Sequence, residues 1–592
     1  MPDVIVIGAG GGGPVVAKEL AQRGLDVLLL EGGSRNANIE AKWTRLEDDA
    51  NNPLWGYLRF GADDREMPWW QRDHPQNSQV FHVAGVGGTT AHYFGNSPRT
   101  PPGVFAGYAG PDAGAYDTAH RFPFTYEEFR PYLEWVEDTL PILTAPMGTK
   151  EEIFFRGCER IGLPVLRQRD TTHDSYRPQE NAILQPEGTA GRTTDPALLT
   201  YPQAQGCTMC GGCLQGCNLP RQAPRNLKAK RSTDNSYVPM ALTADRWAPG
   251  GRAVTLVSDA FVTKIHTRTT LLGAPQAVGV TWRDTRTGAV TRVDAKVVVM
   301  AGSVVENPRL WLNSGLPNPN GWVGRGLTDH ALDWVTGIFD EDTDQDKGQD
   351  SACRADFPGR GAIENVGLGP ATQVLSMLLS DSGVRGAYGN GRGVTGPWDG
   401  KTGRPLGLEL KDTMRDNNKL LNMLILTDDD VEAKNRVLRS PLPPDRNGPM
   451  PKARMYKRVR SARTLRNREW LAAKAVEIMR AAGARKVIRI DMAPLMLHTQ
   501  SSMRMGHRAS DSVLNADGEA RAVRNLFIAD NSALPNSVGG VNPTLTTQAL
   551  ATRTAEKIFT RHFGGDPWVN VEAPLSSADD RVTQAVVAAG IT

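Results

Sequence analysis

Residues 4–31 read VIVIGAGGGGPVVAKELAQRGLDVLLLE, and this stretch decides the fold. Val4 to Ile7 form a short apolar run of strand type. Glycines follow, then a helical pattern from Pro14 to Arg23 that Gly24 stops. Residues 26–30 (DVLLL) read as a second buried strand, closed by Glu31. Strand, helix and strand within about thirty residues make a β-α-β unit, which builds parallel sheet.

The glycines add a ligand to this unit. Gly8, Gly10 and Gly13 fit G-x-G-x-x-G. The first permits the tight turn after the strand, the second lets backbone approach a pyrophosphate, and the third lets helix pack on strand. The helix N-terminus then offers unpaired N–H groups and a positive dipole end to phosphates. Glu31 follows Gly8 by twenty-three residues, where a carboxylate can accept ribose hydroxyls. The loop predicts a dinucleotide and does not by itself separate FAD from NAD.

Outward from this unit, the chain of 592 residues is too long for one simple core, so two or more interleaved domains are expected. With 40% hydrophobic and 22% charged residues it has the composition of a globular protein. A net charge of +3 supplies no bulk field for nucleic acid or an anionic membrane, so neither is expected as a partner. The apolar stretch Val297 to Val305 is too short to span a bilayer. Met1-Pro2-Asp3 leads directly into a strand without a leader pattern, which predicts a cytoplasmic protein.

Residues 53–83 read as an excursion, and 122–137 as an amphipathic helix capped at Thr125. Runs at 253–265, 276–283 and 293–300 suggest a meander that returns to the main sheet. A helix is expected over 464–482, ending at Gly483. Residues 340–420 carry no assignable pattern. The last core unit is a strand at 525–529 and a helix at 543–559, with Asn542 as N-cap and Pro543 at the first helical position. The N-terminus of that helix would carry roughly half a positive charge, suited to an anionic group.

Three further segments resemble the glucose–methanol–choline (GMC) oxidoreductase family. The first is Gly85 to Asn96, GVGGTTAHYFGN, similar to the family's second glycine segment beside the flavin. Its form is closest to pyranose oxidases and bacterial sugar dehydrogenases. The second is Val297 to Gly315, VVVMAGSVVENPRLWLNSG, which departs from the family by one inserted residue and by Asn307 at a usual Ser or Thr. The third runs from His498 to Ala551 and contains HTQSSMRMG, NLFIADNSALP and GGVNPTLTTQALA.

The resemblance implies an α/β fold: a Rossmann-like FAD domain from 1–110, 186–330 and 490–565, an interleaved α+β substrate domain from 111–185 and 331–489, and a tail at 566–592. It implies FAD bound by Gly8, Gly10, Gly13, Glu31, Gly88, Thr89, His92, Asn96, Asp530, Pro543 and Thr544. His498 matches the family's base, and Asn542 its partner on the substrate oxygen. Removing a hydroxyl proton needs a base of near-neutral pKa, which suits histidine. The implied activity is oxidation of a sugar or glycoside ring hydroxyl, with a sterol or long-chain alcohol, a lyase, or an electron-transfer subunit as alternatives. In pyranose oxidases the histidine matching His92 bonds the flavin. Tyr93 here replaces the usual Trp beside it, so a non-covalent flavin is expected.

Cys207, Cys210, Cys213 and Cys217 have the spacing C-x2-C-x2-C-x3-C. Such spacing suits an iron–sulfur cluster, with zinc or a metal-free loop as the other readings. A cluster would make the protein a dehydrogenase, passing single electrons to a redox carrier or small accessory subunit. Arg221, Arg225, Lys228, Lys230 and Arg231 follow and read as a solvated basic loop that could meet an acidic partner. Residues 452–468 carry eight basic side chains, read as a solvated helix face.

Overall fold

Val4, Ile5, Val6 and Ile7 are each 7% exposed or less, so their strand is covered on both faces. Burial of each such side chain is worth roughly 1.5–3 kcal/mol. In the computed structural model this strand lies at the centre of a five-stranded parallel sheet. The order is Leu526–Ile528, Val297–Met300, Val4–Ile7, Val27–Leu30, Thr255–Val257. The helix between the first two strands is Gly13–Ala21. The structure describes residues 1–35, 57–59, 73–75, 79–80, 82–186, 195–269, 273, 275–385, 393–455, 460–493 and 495–591. Most of the excursion read over 53–83 lies outside the described residues.

The run at 253–265 divides. Thr255–Val257 joins the parallel sheet at its edge, whereas Ala260–Thr269 pairs with Pro275–Asp284 in an antiparallel sheet completed by Val290–Asp294. Asp259, at φ +57, makes the corner between the two. The helix near 126 is Tyr126–Thr139, closed by a capping box of Thr125 and Glu128.

The second layer is a six-stranded antiparallel sheet ordered Lys486–Ile490, Asp333–Ile338, Leu420–Thr427, Gly361–Val366, Cys353–Phe357, Ser175–Pro178. Three of its strands come from the stretch between 340 and 427, part of which had no assignable pattern. One face packs on the helices Thr149–Arg160 and Ala462–Ala482 through Ile153, Phe154, Ala355, Ile363, Leu471 and Met479. Ser461 caps the second helix, and Gly483 ends it at φ +106. Among the described residues no helix is long and apolar enough to cross a membrane.

In the basic stretch at 452–468 Arg466 is exposed as expected, but three other arginines are held in ion pairs. Arg460 pairs with Asp429, Arg463 with Asp428 and Asp430, and the buried Arg468 with Asp333. Residues 456–459 lie outside the described residues.

Candidate active site

A cavity of about 270 Å³ runs along the C-terminal ends of the parallel strands. Its wall includes Gly8, Gly10, Glu31, Gly88, Thr89, His92, Asn96, His498, Asp530, Asn542, Pro543 and Thr544. The structure thus brings the expected catalytic pair and all but one of the expected cofactor residues to one space. Gly13 stands behind this wall.

Each glycine of the loop has its own reason. Gly8 has φ +103, and a Cβ there would meet the Ala301 carbonyl oxygen at 2.3 Å. At Gly13 a Cβ would lie 1.9 Å from the Gly8 oxygen, the close helix–strand packing the motif predicts. Gly12 was missed: a Cβ there would sit 1.8 Å from the oxygen of Ala529. Gly10 differs, because its nearest neighbour would be the Gly88 Cα at 3.9 Å. The room at Gly10 opens onto the cavity, where a pyrophosphate needs backbone approach.

The second glycine segment packs on the first. A Cβ at Gly88, φ +52, would lie 2.7 Å from the Gly10 Cα. The Gly87 N–H donates to the Ala9 oxygen at 2.8 Å. Thr233, also missed in the sequence, bonds both segments: its hydroxyl contacts the Gly10 oxygen at 3.0 Å, and its N–H donates to the Thr90 hydroxyl at 3.0 Å. Glu31 accepts the N–H groups of Ala9 at 2.7 Å and Gly33 at 2.8 Å. Burial pushes its pKa up to about 7 against these backbone donors.

Asp530 accepts from the N–H of Ser303 at 2.7 Å, the Asn307 amide at 2.9 Å and the Ser532 N–H at 2.9 Å. Asn307 also donates to the Ser532 hydroxyl at 2.8 Å and accepts from Gly302 at 2.9 Å. The departure from Ser or Thr therefore ties the ends of two parallel strands together. Ser303 carries the strain of the local loop at φ +93.

His498 is held by its backbone. Asp329 accepts the N–H groups of Leu497 at 2.7 Å and His498 at 3.1 Å. Burial pushes the Asp329 carboxyl up to about 8. The ring of His330 meets that of His498 edge-on at 5.1 Å. Burial, then the neighbouring His330 and Arg354, hold His498 well below the usual histidine range, so its ring is neutral, and a weaker base than the near-neutral histidine expected from the sequence. Its Nδ1 is buried and has no hydrogen-bond partner among the described residues.

Asn542 is not an N-cap. The helix is Thr544–Phe563, with Pro543 before it and no side-chain cap. The Asn542 amide is held elsewhere, by Arg354 at 3.0 Å and Glu364 at 3.4 Å. The first-turn N–H groups stay available to a ligand in the cavity, which Pro543, Thr544 and Thr547 line. Gly10 with its open space, His498 and the uncapped helix end all line one cavity. The residues present fit FAD.

His92 is buried, and its Nδ1 lies 2.6 Å from the Leu214 oxygen. A carbonyl only accepts, so Nδ1 carries the hydrogen in the neutral ring. Burial, then Lys230, pulls the His92 pKa down to about 4.

The cysteine segment does not form the expected metal site. Among the described residues no three His, Cys, Asp or Glu side chains gather to hold an ion. Cys207 and Cys213 turn inward and pack with Ile183 and Ala229, while Cys210 is exposed. The Cys217 thiol faces the Leu219 oxygen at 3.7 Å. Burial pushes the Cys207 and Cys213 thiols up from their ordinary value. All six cysteines are unbridged. Of the basic residues after them, Arg221 is exposed as expected, but Arg225, Lys228, Lys230 and Arg231 are buried. Lys230 donates to the oxygens of Ala91, Tyr93 and Cys213, clamping the cysteine loop against the His92 segment.

Two matches to the GMC oxidoreductase model cover residues 199–332 and 409–551. A 2-methyl-1,2-propanediol dehydrogenase of Mycolicibacterium austroafricanum is 28% identical, over 94% of this chain and 95% of its own. Paromamine 6'-oxidase of Streptomyces fradiae is 24% identical, over 94% of this chain and 91% of its own. Among solved structures, pyridoxine 4-oxidase from Mesorbium loti superposes with a TM-score of 0.58 at 15% identity, covering 95% of this chain and 100% of that one. That likeness concerns the fold.

Proposed function

The chain belongs to the GMC oxidoreductase family, and we propose that it oxidises an alcohol with bound FAD, using His498 as base and Asn542 as the group that holds the substrate oxygen. The observation that carries this reading is the meeting of His498, Asn542 and both glycine segments on one cavity. FAD, when bound, supplies the hydride acceptor. The chain does the rest. Neutral His498 takes the hydroxyl proton, Asn542 meets the oxygen as charge develops there, and the uncapped helix end at Thr544 favours negative charge nearby.

For the substrate, the reading is a sugar or glycoside ring hydroxyl. Support comes from the Gly88–His92 segment, GTTAH; the relative named paromamine 6'-oxidase favours a glycoside, at a 6' rather than a ring position. A second reading, a small non-sugar alcohol or diol, is favoured by the relative named for 2-methyl-1,2-propanediol. The same relative's name favours an acceptor other than oxygen.

The test is anaerobic. The FAD-loaded protein is mixed with monosaccharides, glycosides, diols and sterols, and flavin bleaching is followed. Bleaching by sugars or glycosides supports the first reading, and bleaching by diols alone supports the second. A flavin that no alcohol bleaches contradicts both.

A further inference from the structure

Arg354, Asp356 and Glu364 are charged side chains in the middle of a buried sheet. Arg354 and Glu364 are 0% exposed and Asp356 3%. Strands alternate their faces. Ala355 and Phe357 point to the helix layer with Ile363, so Arg354, Asp356 and Glu364 share the opposite face. The register sets Arg354 directly across from Glu364 on one side and from Arg177 on the other. Two arginines opposite each other would repel. Asp356 separates them, accepting from Arg354 Nε at 2.8 Å and from Arg177 Nη1 at 2.8 Å.

The pair ends at Asn542. Arg354 Nη1 donates to Glu364 Oε1 at 2.9 Å and to Asn542 Oδ1 at 3.0 Å. Asn542 Nδ2 donates back to Glu364 Oε2 at 3.4 Å, and Asn96 Nδ2 reaches the same oxygen at 3.2 Å. A guanidinium only donates and an ionised carboxylate only accepts. A reversed amide would set donor against donor at Arg354 and acceptor against acceptor at Glu364. The amide therefore has one orientation, fixed by chemistry. Neither Arg354 nor Glu364 lines the cavity, whereas Asn542 does.

We propose that the Arg354–Glu364 pair is a positioning device that locks the Asn542 amide with its oxygen turned back and an N–H left for the substrate oxygen. This rests on the alcohol-oxidation reading above. An N–H donor stabilises charge developing on that oxygen as His498 removes the proton, and a carbonyl would oppose it. The effect belongs to the reaction step rather than to substrate binding.

The test is a mutant cycle on the FAD-loaded protein. Arg354→Met alone leaves buried carboxylates unpaired, so Arg354→Met/Glu364→Gln is made beside it. Either should slow anaerobic flavin reduction by roughly 30-fold with little change in KM, as expected for loss of an interaction made in the transition state. In an Asn542→Ala background the same changes should cost less than about 3-fold, because groups acting through one another are not additive. Arg354→Lys should restore part of the rate. Equal losses in both backgrounds would overturn the proposal. Crystal structures of the wild-type and Arg354→Met/Glu364→Gln proteins give a readout apart from activity. Asn542 should be released in the variant, and an unmoved amide overturns the proposal. Should no alcohol reduce the wild-type flavin, the function reading fails while the crystal structures still decide the positioning role.

Discussion

The two sheets teach different lessons about where information sits. The parallel sheet builds its site from backbone: glycines at positive φ, close strand–helix contacts and an uncapped helix end. Such features dictate residue type at fixed local spacing, so they leave motifs. The antiparallel sheet builds its share from side chains paired across strands, as Arg354 with Glu364 and Arg177 with Asp356. Arg177 and Asp356 stand 179 residues apart, and Arg354 and Glu364, ten apart, meet only through the register of two strands, so neither pair leaves a motif to read.

The largest expected effects break the backbone half. Gly12→Ala should abolish folding of the FAD domain, since the added carbon would overlap the Ala529 carbonyl. The check is yield of folded, flavin-loaded protein. Gly10→Ala, two residues away, should fold normally and lose only cofactor affinity, by roughly 10-fold or more, because a ligand needs that space. FAD titration of the two variants separates a fold glycine from a ligand glycine. Equal behaviour would remove the distinction.

His498→Ala should lower flavin reduction by about 100-fold or more with FAD still bound, as for loss of a general base. Its pH dependence sharpens the comparison, because both halves act on this ring. Burial, His330 and Arg354 depress its pKa, while Asp329 holds its backbone. The neutral form is the active one, and it persists above the depressed pKa. The acidic limb of kcat/KM should therefore lie below pH 6.5, the unshifted histidine value. A limb above it would mean that the cavity does not desolvate this ring.

The smallest effect is expected at the exposed thiol. Cys210→Ser should change neither flavin reduction nor iron content. Iron bound stoichiometrically by the wild type and lost in this variant would restore the cysteines as ligands.

Legibility follows the same division. VIVIGAGGGG and NPTLTTQALA located the cavity, because turns and helix starts are local. His498 and Asn542 came from motif context. Arg354 and Glu364 did not, since the alternation in CRADF looks the same whether its polar face meets solvent or a buried site. Asp329 and Thr233 were missed because their function is to hold distant backbone. The cysteines misled for the opposite reason: their spacing suits ligation, but the loop turns two inward and one outward. The cap role given to Asn542 failed because a long-range pair took its amide.

The central claim is that His498 accepts the proton of an alcohol whose oxygen Asn542 holds. Stopped-flow reduction of the wild type and of His498→Ala by the best alcohol, without oxygen, tests it most directly. The account predicts rapid bleaching in the wild type and bleaching slower by about 100-fold or more in a variant that keeps its FAD. Bleaching at a similar rate in both would contradict it.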